Sequence, residues 1–454
     1  MFVNRDTELS RIRKALSGSK PQFVVLYGRR RCGKSALIKQ LLDEKSVYFC
    51  ADMRETPLQI SDFASAIEFL IPGFADPVYP DWNVLFRNLN MRLTSRISIY
   101  IDEFPYLVKN APELPSVLQS ILDGKEALKF NLVICGSSQM MMKDLVLNAR
   151  APLYGRAAEI MNINPMSVCH MKRFLMLESA DAITEYGIWG GVPRYWEIRK
   201  DAGSLRAALE EHVVNPHGVL LEEPERLFSD EIRTSVQAYT ILTLIGSGCH
   251  RTSELAARMG KPATHISGVL SFLTELRYIR REIPFGEAPR SGKKSLYKID
   301  DPLLNFWFTF IAPERSRINI GLANRVLDKI YENLPLYTSA VWEELCRRAL
   351  PFLDEKYRFG ETMRWWGTGL DGRQMEVDIV SLSHNHKYLA VGEAKWSEKT
   401  DVNHLADQLL HKASNLPFAD KYAIVPIIFL KNKPSTIPDG ISIFTPIDVI
   451  NALC

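Results

Sequence analysis

Residues 23–35 read FVVLYGRRRCGKS, an apolar run followed by the complete pattern G-x-x-x-x-G-K-S. The apolar run is typical of a buried strand, and the residues after the pattern are typical of a helix. Glycines let the backbone curl so that successive N–H groups point at phosphate oxygens, and the helix start adds positive partial charge. We therefore predict a nucleotide site formed by Gly28, Gly33, Lys34 and Ser35, with Lys34 at the β- and γ-phosphates and Ser35 on Mg²⁺.

The length, composition and charge of the chain indicate a globular protein of several domains. Its 454 residues exceed what one hydrophobic core can organise, so we expect about three domains. Hydrophobic residues make up 46% and charged residues 24%, which are ordinary values for a globular protein. The net charge of +3 creates no strong overall field towards nucleic acids or membranes, so any basic surface must be local.

The seven cysteines are scattered, odd in number and nowhere spaced as C-x-x-C. This pattern favours reduced thiols over a disulfide framework or a zinc site. The first residues, MFVNRD, lack the apolar core of a signal peptide, and no apolar run approaches the ~18 residues that span a bilayer. We therefore expect a soluble, cytoplasmic protein with no membrane partner.

A second apolar run, residues 97–101, ends in Asp102 and Glu103. A buried parallel strand would deliver both acids to its carboxyl end, as in a Walker B motif. There Asp102 would help to hold Mg²⁺ through water, and Glu103 would polarise the attacking water. The alternative is a strand that ends in a solvated acidic turn.

A third apolar run, residues 131–135, is followed by Gly136, Ser137 and Ser138. Ser137 or Ser138 could sense the γ-phosphate through a hydrogen bond, and we take Ser137 as the candidate; the alternative is an ordinary Gly-Ser turn. The strand-like runs alternate with helix-like stretches, which predicts an α/β fold with a parallel sheet and helices on both faces. The helix-like stretches are residues 35–44, 58–70, 82–96 and 112–123.

Three short motifs accompany these runs. Residues 2–9 read FVNRDTEL, residues 153–156 read LYGR, and residues 190–196 read GGVPRYW. They resemble the F-x-x-R-x-x-E-L box, the L-Y-G-R element and the G-G-x-P-R-Y segment of the archaeal-type ATPases, a family in the signal-transduction branch of the AAA+-like NTPases. The resemblance covers the whole chain, including an uncharacterised C-terminal domain. It implies ATP binding and hydrolysis, with Arg5 of the first box near the adenine.

The resemblance also makes Arg156 the candidate for a phosphate-sensing or finger arginine, with Arg150 as the second choice. A planar, permanently charged guanidinium suits the charge that develops on the γ-phosphoryl group. The alternative is a surface arginine that caps the following strand. The three arginines inside the loop, residues 29–31, either touch phosphate or face solvent, and the motif does not require them.

Residues 226–300 have the helix, short helix, glycine turn, longer helix and two-stranded wing of a winged helix-turn-helix. Residues 251–298 carry ten Lys or Arg against four acids, an excess of six positive charges, and the wing tip at 286–294 is basic. This excess suits contact with DNA phosphates. The alternative is a lid or a protein-contact module. The start of the predicted recognition helix carries Thr264, His265 and Ser267.

The C-terminal part contains Asp378 in an apolar run and, on a later strand-like run, Glu393 and Lys395. Side chains two positions apart on a strand share one face, and an adjacent strand can bring Asp378 to it. Carboxylates on one patch bind Mg²⁺, and Lys395 could orient water or stabilise developing negative charge. This pattern resembles the PD-(D/E)XK nuclease core, which implies a helix acid at Glu343, with Glu344 in reserve.

We therefore expect a P-loop NTPase sheet with a helical lid, a winged helix and a C-terminal α/β nuclease-like domain. The leading interpretation is an ATPase whose nucleotide state positions the winged helix and a Mg²⁺-dependent nuclease-like domain on DNA, with a homo-oligomer left open. One alternative is an ATP-dependent switch that binds DNA or protein without cleaving. Another is a scaffold that holds ATP without turnover, against which Glu103 argues. The expected segments are residues 1–165 (ATPase core), 166–225 (lid), 226–300 (winged helix), 301–335 (linker) and 336–454 (nuclease-like).

Overall fold

The computed structural model describes residues 3–124, 127–231, 235–288 and 294–454. The chain divides into two compact units. The first consists of Met1–Pro165 with Val192–Arg194, and the second of Met166–Gly191 with Tyr195–Cys454.

A five-stranded parallel sheet forms the centre of the first unit, with strand order β2-β3-β4-β1-β5. This confirms the predicted α/β fold with a parallel sheet. The strands are β1 (Phe23–Tyr27), β2 (Ser46–Cys50), β3 (Ile97–Asp102), β4 (Phe130–Gly136) and β5 (Glu159–Asn162). The helices are α1 (Asp6–Leu16), α2 (Lys34–Lys39), α3 (Thr56–Glu68), α4 (Trp82–Arg92), α5 (Phe104–Asn110), α6 (Leu114–Leu122) and α7 (Gln139–Val146).

The central strands of this sheet bring the predicted motifs to one edge. Every residue of β1 and β4 is buried, as expected for apolar strands in a covered parallel sheet. Strand β4 lies between β3 and β1, so the carboxyl ends of these three strands are neighbours. The phosphate loop follows β1, Glu103 follows β3, and Ser137 follows β4. The motifs therefore meet at the edge where open α/β sheets bind ligands.

Helix α5 is one of the elements of the first unit that the sequence analysis did not predict, together with α1, α7 and β5. It begins directly after Glu103, with Pro105 in its first turn, where a missing N–H costs nothing. Its 7 residues are too few to display a helical period. The helix predicted over residues 35–44 is shorter than expected, since α2 ends at Lys39.

The second unit contains a larger set of helices, a two-stranded sheet and a five-stranded sheet. The helices are α8 (Val168–Leu175), α9 (Ser179–Trp189), α10 (Pro193–Asp201), α11 (Leu205–His212), α12 (Glu223–Glu231), α13 (Ser235–Gly246), α14 (Thr252–Met259), α15 (Ala263–Glu275), α16 (Pro302–Phe306), α17 (Arg315–Asn319), α18 (Ala323–Leu353), α19 (Val402–Ser414) and α20 (Pro446–Ala452). The strands are β6 (Ile279–Glu282), β7 (Leu296–Ile299), β8 (Phe359–Thr368), β9 (Gln374–Ser383), β10 (Tyr388–Lys395), β11 (Ala423–Leu430) and β12 (Ser442–Phe444).

Helices α13, α14 and α15 and the antiparallel pair β6–β7 follow the order predicted for a winged helix. Gly260 ends α14 with a φ of 59°, a left-handed conformation that glycine adopts without steric cost, and the chain turns there into α15. Ile266, Leu270 and Leu273 form the buried face of α15. The predicted basic wing tip falls partly on residues 289–293, which lie outside the described residues.

The C-terminal sheet is mixed, with strand order β12-β11-β10-β9-β8. Strands β8, β9 and β10 pair antiparallel, whereas β10, β11 and β12 pair parallel. Helix α19 makes the crossover that parallel β10 and β11 require, and it shares their buried core. Helix α18 is 31 residues long, so it contains the end of the predicted linker as well as the start of the predicted C-terminal domain.

Two cysteines contradict the expectation of reduced thiols throughout the chain. Cys169 of α8 and Cys454 form a disulfide across 285 sequence positions. Helix α8 packs against α20, which brings the residues after α20 within reach. Spacing motifs detect cysteines that are close in sequence, so a bond made by tertiary packing escapes them. The cysteines outside this disulfide are Cys32, Cys50, Cys135, Cys249 and Cys346.

Candidate functional sites

The phosphate loop connects β1 to α2 and is closed by its own lysine. Lys34 Nζ donates to the carbonyl oxygens of Gly28 and Arg29, both at 2.9 Å. A Cβ atom at Gly28 would collide with the backbone of Ile163, so this position requires glycine. Gly33 has a φ of 89°, which an L side chain rarely adopts. The loop is therefore already curled, and its lysine is held by neutral acceptors.

Asp102, at the end of β3, is fixed by two donors. Its Oδ2 accepts from the Tyr48 hydroxyl at 3.0 Å, and its Oδ1 accepts from the Glu103 amide at 2.9 Å. Burial and the nearby Asp102 charge raise the pKa of Tyr48, so the phenol stays a donor. A carboxylate has about four lone-pair sites, so Asp102 can still accept from water on Mg²⁺. With the exposed Ser35 of α2, the oxygen donors present suit this ion.

Tyr48 is a positioning residue that the sequence analysis missed. It lies on β2, 54 positions before Asp102, and the parallel register places it beside the end of β3. A tyrosine in an apolar strand gives no signal that distinguishes it from a core residue.

Glu103 and Ser137 contact each other directly. Glu103 Oε2 accepts from the Ser137 hydroxyl at 2.8 Å and from the Ser137 amide at 3.3 Å. The backbone of Glu103 is left-handed, with a φ of 52°, and this turn separates β3 from α5. The structure therefore brings the predicted water-polarising acid and the predicted phosphate sensor together.

Arg5 is buried next to the phosphate loop. Its guanidinium donates to Glu8 Oε1 at 2.8 Å, to the Cys32 carbonyl at 3.2 Å and to the Asn164 carbonyl at 2.7 Å. It therefore connects the loop to the segment after β5. The first box of the sequence thus lies beside the nucleotide edge of the sheet.

Arg156 is placed far from the phosphate loop of the same chain. Its guanidinium pairs with Asp123, the residue that ends α6, and also donates to the carbonyls of Pro152 and Tyr154. The nearby Ala158 amide donates to the carbonyl of Phe23, the first residue of β1. Arg156 therefore lies at the amino edge of the sheet, whereas the loop follows the carboxyl edge.

In the second unit, β9 and β10 bring Asp378, Glu393 and Lys395 together. The antiparallel register pairs Gly392 with Ile379, so Asp378 and Glu393 are the next opposing pair. Lys395 Nζ lies 2.7 Å from Glu393 Oε2 and 3.8 Å from Asp378 Oδ2. Asp378 Oδ2 also accepts from the Ala394 amide at 3.1 Å. The predicted E-x-K face is thus present, with its acids buried and its lysine partly exposed.

A further lysine, Lys412 of α19, completes this group. Its Nζ lies 2.6 Å from Glu393 Oε1, so each oxygen of Glu393 bonds an ammonium group. The sequence analysis missed Lys412 because helices present many lysines to solvent, and nothing local marks this one. We call Glu343, Asp378, Glu393, Lys395 and Lys412 the C-terminal cluster.

The two candidate helix acids of α18 differ in their surroundings. Burial and the Asp378 charge raise the pKa of Glu343, and burial and the Glu393 charge raise the pKa of Asp378. Burial would also raise the pKa of Glu344, but the charges of Arg280 and Arg348 lower it instead. Glu343 therefore belongs to the C-terminal cluster, whereas Glu344 is neutralised by arginines.

Potential metal ligands do not converge in the described part of the chain. Over residues 3–124, 127–231, 235–288 and 294–454, no group of three or more His, Cys, Asp or Glu side chains is arranged to hold a metal ion. In the C-terminal cluster, the two ammonium groups on Glu393 occupy the oxygens that a cation would need. The carboxylates of the cluster are suitable ligands for Mg²⁺, but the ion would have to displace a lysine from Glu393.

Part of the basic excess of the winged helix is used inside the second unit. Arg280 pairs with Glu282, Asp300 and Glu344, and Lys298 pairs with Glu282. The wing strands therefore present less positive charge than the sequence count indicates. The exposed polar residues of this region include Arg258 on α14 and Thr264, His265 and Ser267 at the start of α15.

Two protein families match this chain. Residues 2–197 match a family described as an ATPase domain predominantly from Archaea. Residues 307–405 match a family described as archaeal and bacterial proteins of unknown function. An uncharacterised protein of Methanocaldococcus jannaschii is 30% identical over 437 residues, which cover 94% of this chain and 95% of that protein. An uncharacterised ATP-binding protein of the same organism is 45% identical over 47 residues, or 10% of this chain and 80% of that protein.

A solved structure shares the fold of part of the chain. The Walker-type ATPase PABY2304 of Pyrococcus abyssi has a TM-score of 0.52 and 18% identity, over 68% of this chain and 96% of that chain. At this identity the likeness concerns the fold alone. None of the described helices combines the length and apolarity that a membrane crossing requires.

Proposed function

The chain belongs to the archaeal ATPase family and is an ATP-hydrolysing enzyme, and we propose that its nucleotide state controls DNA binding by the winged helix and Mg²⁺-dependent DNA cleavage by the C-terminal cluster. ATP hydrolysis follows from the family. The control of DNA by ATP and the cleavage reaction are the proposal.

In the ATPase site, we assign each residue a role that its position supports. The N–H groups of the curled loop and Lys34 take the phosphates, and Ser35 and Asp102 would hold Mg²⁺. Glu103 polarises the attacking water, and it can do so while its Oε2 keeps the bond to Ser137, because a carboxylate has about four lone-pair sites. Arg5 supports the loop from the adenine side, through the Cys32 carbonyl.

DNA contact is assigned to the start of α15. Thr264, His265 and Ser267 are exposed there, whereas Ile266 of the same turn is buried. In winged helices this part of the recognition helix faces the major groove. Arg258 of α14 is exposed nearby in sequence and suits a phosphate contact. The internal pairing of Arg280 and Lys298 argues against the wing strands as the main contact.

The observation that carries the cleavage proposal is the convergence of Asp378, Glu393 and Lys395 on one face of two paired strands. Mg²⁺, when bound, would polarise the scissile phosphate. Lys395 is partly exposed and can turn from Glu393 towards that phosphate, where its charge stabilises the transition state. Glu343 adds a third carboxylate from α18, and burial together with the Asp378 charge raises the pKa of this carboxyl.

A second candidate function is an ATP-dependent switch that binds DNA or protein without cleaving. Lys395 and Lys412 each bond one oxygen of Glu393, and this favours the switch. Ion pairs of this kind can hold the buried acid in place without a metal ion. In that case the C-terminal cluster is a charged core that stabilises the sheet.

Substitution of Asp378 by Asn separates the two functions. The intact chain is incubated with single-stranded, duplex and branched DNA and Mg²⁺, with ATP, ADP or neither. We expect cleavage by the wild type, retention of cleavage in Asp420→Asn, where the acid is exposed, and loss in Asp378→Asn. Equal absence of cleavage in all three proteins, with DNA binding intact, would refute the nuclease function in favour of the switch.

A further inference from the structure

The phosphate loop carries an arginine that reaches the helix after the Walker B acids. Arg30 Nη2 lies 2.7 Å from the hydroxyl of Tyr106. Tyr106 belongs to the first turn of α5, and its amide donates to the Glu103 carbonyl at 2.9 Å. The side chain of Arg30 therefore extends from the loop towards the segment that carries Glu103.

This direction is the one in which the terminal phosphate of ATP lies. In P-loop enzymes the γ-phosphate is held between the phosphate loop and the acids at the end of the Walker B strand. The neighbouring loop arginines differ from Arg30, because Arg29 is buried and Arg31 is exposed. Arg156 lies at the opposite edge of the sheet. Arg30 is thus an arginine that this chain itself places next to the reaction centre.

We propose that Arg30 is a catalytic residue for ATP hydrolysis, which exchanges its bond to Tyr106 for a contact with the γ-phosphate in the transition state. The guanidinium bonds an ionised phosphate oxygen more strongly than a neutral phenol oxygen, because the phosphate adds the attraction of opposite charges. Bound ATP therefore competes effectively with Tyr106 for the guanidinium. The planar, permanently charged fork then spans two γ-phosphate oxygens, which is a geometry that lysine cannot reproduce.

The role of Arg30 in the reaction is electrostatic. Water oxygen forms a bond to the γ-phosphorus as the bond from that phosphorus to the β–γ bridging oxygen breaks. The electron pair of the broken bond stays on ADP, and both water protons end on inorganic phosphate, one of them on the oxygen that came from water. Arg30 neither gains nor loses a proton, and it stabilises the negative charge on the equatorial oxygens as the γ-phosphoryl group is transferred.

The test compares Arg30→Gln with Lys39→Gln, which removes one exposed positive charge from the helix that follows the loop. We expect Arg30→Gln to lower kcat by about 100-fold, the effect of losing one preorganised donor to a transition state. Lys39→Gln should keep the wild-type rate. Affinity for ADP, which has no γ-phosphate, should be the same in all three proteins.

A transition-state analogue gives a readout that a structural role would not change. In the wild type, aluminium fluoride should tighten ADP binding, because the fluoride complex occupies the γ-phosphate position. Arg30→Gln should lose this tightening while it keeps ADP affinity. Parallel losses of ADP affinity and activity, or unchanged kcat, would overturn the proposal.

The Tyr106 hydroxyl is tested separately with Tyr106→Phe. Because Arg30 gives up this hydroxyl when it contacts the γ-phosphate, removal of the hydroxyl should leave kcat within about fivefold of the wild type. Fivefold is the change that the free energy of one ordinary hydrogen bond would cause. A loss as large as that of Arg30→Gln would overturn its assignment as a resting partner. All these measurements are made without DNA, so they do not depend on the proposed nuclease or winged-helix functions.

Discussion

The phosphate loop and the C-terminal cluster both combine lysine with acids carried on or next to β-strands, but they hold their lysines differently. Lys34 donates to two backbone carbonyls, which are neutral. Lys395 and Lys412 instead form ion pairs with the two oxygens of Glu393, which is buried. The first site thus has a cation without an acidic partner, whereas both lysines of the second site are paired with a buried acid.

This difference indicates what each site must do to bind a ligand. At the phosphate loop, an incoming phosphate replaces a neutral acceptor by a charged one, which strengthens each hydrogen bond. At the C-terminal cluster, a ligand must first separate an ion pair and leave a buried carboxylate to be compensated. We therefore expect nucleotide to bind the phosphate loop readily. We expect a ligand to bind the C-terminal cluster only when its own charge replaces that of the lysine it displaces.

The largest effect is expected at the phosphate loop. Lys34→Ala should weaken ATP binding about 1000-fold, because two charge-assisted hydrogen bonds to phosphate are lost. Lys39→Ala, on the exposed face of the same helix, should bind ATP as the wild type does. Calorimetric titration of both variants checks this, and equal affinity for ATP would show that Lys34 is not the phosphate ligand.

A smaller effect is expected from the disulfide of the second unit. Cys454→Ser should lower the free energy of unfolding by about 3 kcal/mol, because the bond closes a long loop in the unfolded chain. Cys50→Ser, at an exposed free thiol, is the control. Denaturant unfolding followed by tryptophan fluorescence reports mainly on this unit, since seven of the eight tryptophans belong to it. Identical unfolding of Cys454→Ser and the wild type under non-reducing conditions would contradict the bond.

The smallest effect is expected at the C-terminal cluster. Lys412→Gln frees one oxygen of Glu393, so Mg²⁺ should bind there about fivefold more tightly, the weight of one partly exposed ion pair. Lys421→Gln, at an exposed lysine, should leave Mg²⁺ binding unchanged. Calorimetry at fixed ionic strength measures both. If Lys412→Gln bound Mg²⁺ no better than the wild type, the lysine would not be what limits metal binding.

The local motifs were predictable because each depends on neighbouring residues. The loop that ends in Lys34 needs only the spacing of two glycines and a following helix. Glu393 and Lys395 share a face because side chains alternate along a strand. Asp102 was predictable from the apolar run before it, because a buried strand ends at the edge of the sheet where an acid can bind a ligand. In each case the pattern fixes both the element and the direction of the side chain.

The remaining site residues depend on tertiary packing, which spacing does not contain. Tyr48 reaches Asp102 across two parallel strands, and Lys412 reaches Glu393 from a helix. Cys169 and Cys454 meet only when α8 packs against α20. For Arg156 the sequence contains a clear motif, L-Y-G-R. The motif does not indicate at which edge of the sheet the arginine lies, because that depends on tertiary packing.

The central claim is that the curled loop after β1 binds ATP in the intact chain, and titration of MgATP into the purified full-length protein tests it most directly. We predict saturable heat that corresponds to one nucleotide per chain and that Lys34→Ala abolishes over the same concentration range. An absence of binding heat with the wild type, at concentrations where it is folded, would contradict the account.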